Sequence, residues 1–317
     1  MPSEVATPVA AALAKAAGYA EHALARATRA AYRADWADFT AWCHRHGETA
    51  LPAAPQTVAA YLADMATILR PATLQRRLVS IGQAHKVHGH EWVAGHPAIR
   101  ATLRGILNRH GTPQRKAAAL GTAEMKRLLA TCDGTMAGLR DRALLLLGFA
   151  GALRQSELAA VEREHLTFTA EGVRLLIPRA KGDQEGQGVE LGIPRGTKPE
   201  ICPVRALEEW LRVSACRFGP VFRKVGASGT VEREALHRNS VGLILARHVA
   251  KAGLSAGALE RLSSHGLRAG FITECYKAGA RDEEIMGHTR HKDLVTMRGY
   301  VRRAKLMQGS PAKLLGL

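Results

Sequence analysis

Three prolines dictate the architecture of the first third of this chain. Pro55, Pro71 and Pro97 each stand just ahead of an apolar repeat at helical spacing. Proline is excluded from a helix interior, where its ring clashes with the preceding turn and its missing N–H breaks the ladder. It is tolerated in the first turn, so each of the three reads as a helix start. Val58, Leu62 and Met65 mark the inner side of one helix. Leu74, Leu78 and Ile81 mark the next, with Thr73 near its start, and Ile99, Leu103 and Ile106 the last. Another helix precedes them, capped by Thr28 and running to about Arg45. On it Tyr32, Trp36, Phe39 and Trp42 recur every three or four residues along one face, which reads as core. Gly47 ends it. Four short helices in succession make a small all-α domain over 21–109, behind an Ala-rich, flexible or loosely helical stretch at 1–20. The segment 110–119, HGTPQRKAAA, is broken by Gly and Pro and then turns basic. It is expected to be a linker, with a second domain over 120–317.

The chain has 317 residues and a formal net charge of +17. A balance so basic points to a polyanionic partner, nucleic acid first and an anionic membrane surface second. The longest apolar run, Ala143–Ala152, is about half of the roughly 20 residues that a spanning helix needs, so no membrane anchor is expected. The first residues include Glu4 and Lys15 and lack a signal-peptide apolar region, which suggests a cytoplasmic protein. Five cysteines are scattered with no C-x-x-C, so neither a zinc site nor a disulfide framework is indicated. His85, His88 and His90 are read as ordinary histidines rather than a metal cluster. No cofactor is expected.

In the second domain Thr122 caps a helix through Leu129, and Arg140–Gly151 is an almost continuous apolar helix that must be buried. Arg154 follows the break at Gly151, and Ser156 with Glu157 starts another helix. Val173–Pro178 and Gly188–Pro194 read as a hairpin whose long polar turn contains Lys181. Pro203 opens a helix, Ser240 caps one over Val241–Ala252, and the remainder is helical. The last residues, Arg302–Leu317, mix basic residues with Leu314, Leu315 and Leu317, a composition suited to packing on a neighbouring protomer or on the chain's own domain. The whole is mainly α with a small β-sheet.

Chemistry concentrates in Ser264–Tyr300, SHGLRAGFITECYKAGARDEEIMGHTRHKDLVTMRGY. It opens with His265 and Arg268, passes His288 and His291, and closes on Tyr300. Together with Arg154 in GALRQSEL, this ordered series resembles the tyrosine recombinase (phage integrase) family, weakly over the first part of the chain and strongly from about Gly121 onward. The resemblance implies a SAM-like four-helix core-binding domain that clamps DNA, followed by an α+β catalytic domain. It also implies double-stranded DNA as partner, four protomers holding two duplexes, and strand exchange without metal or nucleotide. Accessory proteins stay unknown.

Attack on a phosphodiester builds negative charge on its non-bridging oxygens, so catalysis is largely positioning and charge stabilisation. Arginine forks match phosphate and stay charged, which makes Arg154 and Arg268 the candidates for that task. Arg154 could equally pair with Glu157 on the same turn, and Glu157 could orient it. By the resemblance Tyr300 is the nucleophile and His265 takes or relays its proton. A phenol with a pKa near ~10 needs such help at neutral pH. Lys181 is the candidate acid for the leaving 5′-oxygen, with Arg179 competing. His291 stands nine residues before Tyr300 and His288 twelve. The family places its phosphate-binding histidine about nine before the tyrosine, so His291 takes the role and His288 is a helix-end histidine. Arg290 stands where many members carry Gly. In the first domain Arg70, Thr73, Gln75, Arg76, Arg77 and Lys86 suit a helix lying along a DNA groove or a solvated basic face. Arg115 and Lys116 could touch phosphate. Two other readings use the same residues: a type IB topoisomerase, and a DNA-binding regulator on a decayed recombinase scaffold.

Overall fold

The structure, a computed structural model, describes residues 24–113, 115–178, 188–258, 260–304 and 310–315 and a few isolated positions ahead of them. The chain divides into two compact units, Met1–Pro113 and Gln114–Leu317.

The first unit holds four helices, α1 (Arg26–His46), α2 (Pro55–Met65), α3 (Pro71–Val87) and α4 (Pro97–His110). All three prolines occupy the first helical turn, as their chemistry requires. α1 begins slightly before Thr28, with no side chain capping it. It ends at Gly47, whose φ of 67° is the left-handed conformation that glycine adopts without steric cost. The expected aromatic stripe is core: Phe39 and Trp42 are buried with Val58, Tyr61, Leu62, Leu74, Ile81, Ile99 and Ile106. Each such side chain contributes about 1.5–3 kcal/mol on leaving water. His85 is buried among them, its Nε2 accepting from the Ala53 N–H at 2.8 Å.

The second unit is built around α6 (Met136–Ala150), where Leu144–Leu147 are all buried. On it pack α5 (Thr122–Ala130), α7 (Gln155–Ala159), α8 (Pro203–Val213) and α9 (Arg238–Lys251). A three-stranded antiparallel sheet runs β2 (Leu166–Phe168), β3 (Gly172–Ile177), β4 (Val189–Pro194), in that order. Val173, Leu175 and Ile177 point into the core while Arg174 and Leu176 face out, the period-two pattern of a sheet with one wet face. β5 (Arg223–Val225) pairs with β6 (Val231–Ala235). The chain closes with α10 (His265–Lys277), α11 (Asp282–Thr289) and α12 (Leu294–Ala304), which share a small core of Ile272, Ile285, Met297 and Val301. A short 3₁₀ turn at Pro311–Leu315 follows, with Leu314 and Leu315 exposed. No helix among the described residues is long and apolar enough to cross a membrane.

Three expectations need correction. α9 starts at Arg238 rather than beyond Ser240, because His237 accepts from the Asn239 N–H and caps it earlier. β2, β5 and β6 are additional strands, each too short to show a period. The segment expected as a linker is in part a structural strand. β1 (Lys116–Ala117) pairs in parallel with β7 (Glu260–Arg261), and Ala117, Ala118 and Leu120 are buried.

Candidate active site

α10 sets the geometry. Its Gly266 and Gly270 let the chain at 118–120 press against the helix. A Cβ on Gly270 would lie 1.8 Å from the Leu120 carbonyl oxygen, and one on Gly266 2.5 Å from that of Ala118. The Leu120 N–H in turn donates to the Gly266 carbonyl at 3.0 Å. This seat fixes His265, exposed at the start of the helix, and Arg268, one turn on and 1 % exposed.

Arg268 lies at the floor of the site. Its Nη1 donates to the Ala152 carbonyl at 2.6 Å, and its Nη2 to the Thr289 carbonyl. Nη2 also faces the His291 ring, 3.3 Å from Nε2. Burial, then the charges of Arg154 and Arg290, push this guanidinium down to about 9, so it remains a cation at neutral pH. Arg154 stands at the start of α7, 24 % exposed, its Nη1 donating to Glu157 Oε1 at 2.6 Å. Glu157 Oε2 accepts from the Arg154 backbone N–H at 3.0 Å. Burial alone would raise the Glu157 carboxyl, but that N–H, Arg290 and the Arg154 side chain more than offset it and hold the group below the usual range. The ion pair with Glu157 thus forms while part of the Arg154 side chain stays exposed.

Tyr300 rides on α12, flanked by the buried Met297 and Val301. Its Oη is 2.5 Å from His265 Nε2, and its ring centroid is 6.0 Å from that of His291. Thr289 Oγ1 donates to the Ile285 carbonyl at 2.6 Å, which leaves it to accept from His291 Nδ1 at 2.7 Å. Burial, followed by Arg268 and Arg154, pushes His291 down to about 4, so the imidazole is neutral at pH 7. His288 points elsewhere: it stacks on Phe271 at 4.6 Å, and its Nε2 donates to the Ala150 carbonyl at 2.8 Å. Burial lowers its pKa too, in keeping with a neutral helix-end histidine.

The structure thus brings Arg154, Glu157, His265, Arg268, His291 and Tyr300 together. Lys181 and Arg179 lie outside the described residues. Sequence reasoning missed Thr289 and the part played by Arg290, which enters the same cluster through Glu157. The signal for Arg290 was its position, a large side chain where a helix-ending turn favours glycine. Among the described residues no group of His, Cys, Asp and Glu could hold a metal.

In the first unit, Arg70, just ahead of α3, and Lys86 on it are exposed, and Thr73 is half-buried. Arg76 donates to Asp35 at 2.9 Å. Arg77 departs from the expectation of an outward basic residue. It is 11 % exposed, donates to both oxygens of Asp38 at 2.6 and 3.0 Å, and also reaches the Tyr61 hydroxyl. In the second unit Lys116 is exposed, and Arg115 Nε donates to the Glu260 carbonyl at 2.9 Å.

The family model of the phage integrase family matches residues 118–307. An "Integrase/recombinase xerD homolog" from Selenomonas ruminantium is 37% identical over 287 residues, 89% of this chain and 83% of that protein. Among solved structures, the fold is similar to XerH site-specific recombinase in a post-cleavage complex with palindromic difH substrate. That likeness has a TM-score of 0.61 at 17% identity, covering 83% of this chain and 72% of the other. It is also similar to a lambda integrase tetramer bound to a Holliday junction, with a TM-score of 0.57 at 16% identity over 87% and 72% of the two chains. The family match extends over the segment that holds every residue of the cluster, and the chain belongs to the phage integrase family, the tyrosine recombinases.

Proposed function

We propose that this chain cleaves and rejoins DNA at a specific site, with Tyr300 as the nucleophile. The observation that carries the reading is the 2.5 Å contact between Tyr300 Oη and His265 Nε2, beside Arg154, Arg268 and His291. The phenol donates toward the imidazole, which accepts its proton as the oxygen attacks phosphorus. A P–O bond forms to Tyr300 and the bond to the 5′-oxygen breaks, leaving a 3′-phosphotyrosyl link. Lys181, in the segment joining β3 to β4, is the proposed donor of the proton to that leaving oxygen. Arg154 meets the non-bridging oxygens directly and Arg268 stabilises them from the floor. His291 already uses Nδ1 on Thr289, so it donates to phosphate through Nε2 only when protonated. The anion itself favours that protonation by offsetting the neighbouring guanidiniums.

The 5′-hydroxyl of a partner strand then attacks the phosphotyrosine and releases Tyr300. The bond exchange conserves a phosphodiester, so the cycle needs no nucleotide. Exchange between two duplexes implies four protomers on DNA, as in the lambda integrase complex. The exposed Leu314 and Leu315 support a tail that packs on a neighbour. The first unit acts as the core-binding domain, with Arg70, Arg76 and Lys86 toward phosphate.

A covalent-trapping assay tests this. Wild type, Tyr300→Phe, His291→Ala and His288→Ala are incubated with nicked duplexes spanning DNA that flanks the gene, then run on a denaturing gel. A slow-migrating adduct is expected from wild type and none from Tyr300→Phe. His291→Ala is expected to slow its formation by about 10²-fold, and His288→Ala by less. An adduct persisting in Tyr300→Phe sinks the nucleophile assignment.

A further inference from the structure

Arg290 occupies the position that closes α11, in the left-handed region with φ 59°. A non-glycine residue there carries a conformational cost. Its side chain is only 6 % exposed, so DNA does not reach it. Burial lowers the pKa of its guanidinium, and its Nε finds no acceptor among the described residues. A strained backbone and an incompletely satisfied buried cation are both unfavourable for folding.

What the side chain touches is informative. Nη2 donates to Glu157 Oε2 at 2.9 Å, on the carboxylate whose Oε1 accepts from Arg154 at 2.6 Å. Nη1 donates to the His288 carbonyl at 2.8 Å, and Nη2 lies 3.3 Å from the Ala152 carbonyl. That same Ala152 carbonyl accepts from Arg268 at 2.6 Å. Arg290 therefore contacts both the group that aims Arg154 and the turn that anchors Arg268.

Electrostatics gives this a purpose. A carboxylate paired with Arg154 alone would orient the arginine and at the same time neutralise it toward an incoming anion. A second guanidinium on the other oxygen offsets that negative charge, keeps Glu157 fixed from two sides, and leaves the cluster net positive. We propose that Arg290 is a positioning residue for the cleavage step: through Glu157 and the Ala152 turn it aims Arg154 at the scissile phosphate and preserves the site's positive charge. The inference rests on the phosphotyrosyl reading.

The test uses the full chain and the nicked duplexes described above. Three quantities are measured: the single-turnover rate of adduct formation at saturating DNA, the DNA dissociation constant, and the thermal midpoint. The variants are Arg290→Gly, Arg290→Met, Arg290→Lys, Glu157→Gln and the Arg290→Gly, Glu157→Gln pair. Glycine suits a φ of 59°, so Arg290→Gly is expected to fold. Its adduct rate is expected to fall about ten- to hundred-fold, the scale of a small misplacement of a catalytic group, with DNA affinity changed by less than about threefold. Arg290→Lys is expected to recover part of that rate and Arg290→Met none, since only lysine returns charge to Glu157. The paired variant is expected to be no slower than Glu157→Gln alone. A glycine variant cleaving at the wild-type rate overturns the proposal. So does equal loss in Met and Lys variants that tracks a fall in thermal midpoint, because that describes a packing role only. No adduct from wild type removes the phosphotyrosyl reading itself, and this inference with it.

Discussion

In the N-terminal unit Arg76 and Arg77 face Asp35 and Asp38. In the C-terminal unit Arg154 and Arg290 each pair with the single carboxylate of Glu157, and Arg268 adds a third guanidinium to the cluster. The first arrangement is matched in charge and closed at Arg77: Asp35 is 3 % exposed and both oxygens of Asp38 are used by Arg77, while the side chain of Arg76 stays half exposed. The second has guanidiniums in excess and one, on Arg154, still partly open. A charge-matched pair holds helices in register, and its closed arginine, Arg77, offers an anion little. An unbalanced cluster is poorly compensated until an anion arrives, which is what a phosphodiester supplies. Buried arginine is thus evidence of a site only once its carboxylates have been counted.

The sharpest way to break the comparison is to strip the open cation from one side and a closed one from the other. Arg154→Ala is expected to slow adduct formation by about 10²–10³-fold, the cost of removing one preorganised donor, while the thermal midpoint stays near wild type. Arg77→Met is expected to do the reverse. It leaves Asp38 and the Tyr61 hydroxyl without their main donor, and should destabilise the first unit by about 2 kcal/mol, less than a fully buried pair because Asp38 is partly exposed. Denaturant unfolding followed by amide exchange in each unit checks this. Cleavage chemistry by the folded fraction should be unchanged. A large rate loss in Arg77→Met, or a large stability loss in Arg154→Ala, would erase the distinction.

Acid separates the units most weakly. Glu157 and Asp141 are held below their usual range. In both, burial is overcome: in Glu157 by the Arg154 N–H and Arg290, in Asp141 by His248 and Arg140. A depressed carboxylate contributes stability that is present above its unfolded value, near ~4, and lost as pH falls through the folded one. Asp35 shifts the other way, since burial raises it more than Arg76 and Arg77 lower it. Its protonation therefore favours the folded first unit as pH falls. On acidification below about pH 4, amide protection in the second unit is expected to fall before that of the first. Simultaneous loss would show that these groups do not govern the acid limb.

Much of this is legible in the amino-acid sequence. The proline-started helices follow from one ring and one missing N–H, and those are properties of each residue alone. His265 and Arg268 share a helix face because they are three apart. The nine-residue spacing from His291 to Tyr300 carries a turn and two helical turns that bring both to one place. The β1–β7 pair was not legible, because two residues cannot show a period and their partner lies far along the chain. Nor was the hairpin β5–β6, whose strands are short and largely exposed.

The sequence by itself determined where the three proline-started helices begin, which faces are apolar, and which residue types stand in order along the second half. It could not decide which arginines are spent. Arg76, Arg77, Arg154 and Arg290 look alike on paper, as cations in polar company. Only the tertiary structure placed Asp38 against Arg77 and set Glu157 between Arg154 and Arg290. The reason is physical. Backbone conformation is governed by neighbours within a few residues, whereas the charge state and reach of a side chain depend on burial and on partners that only the folded chain brings together.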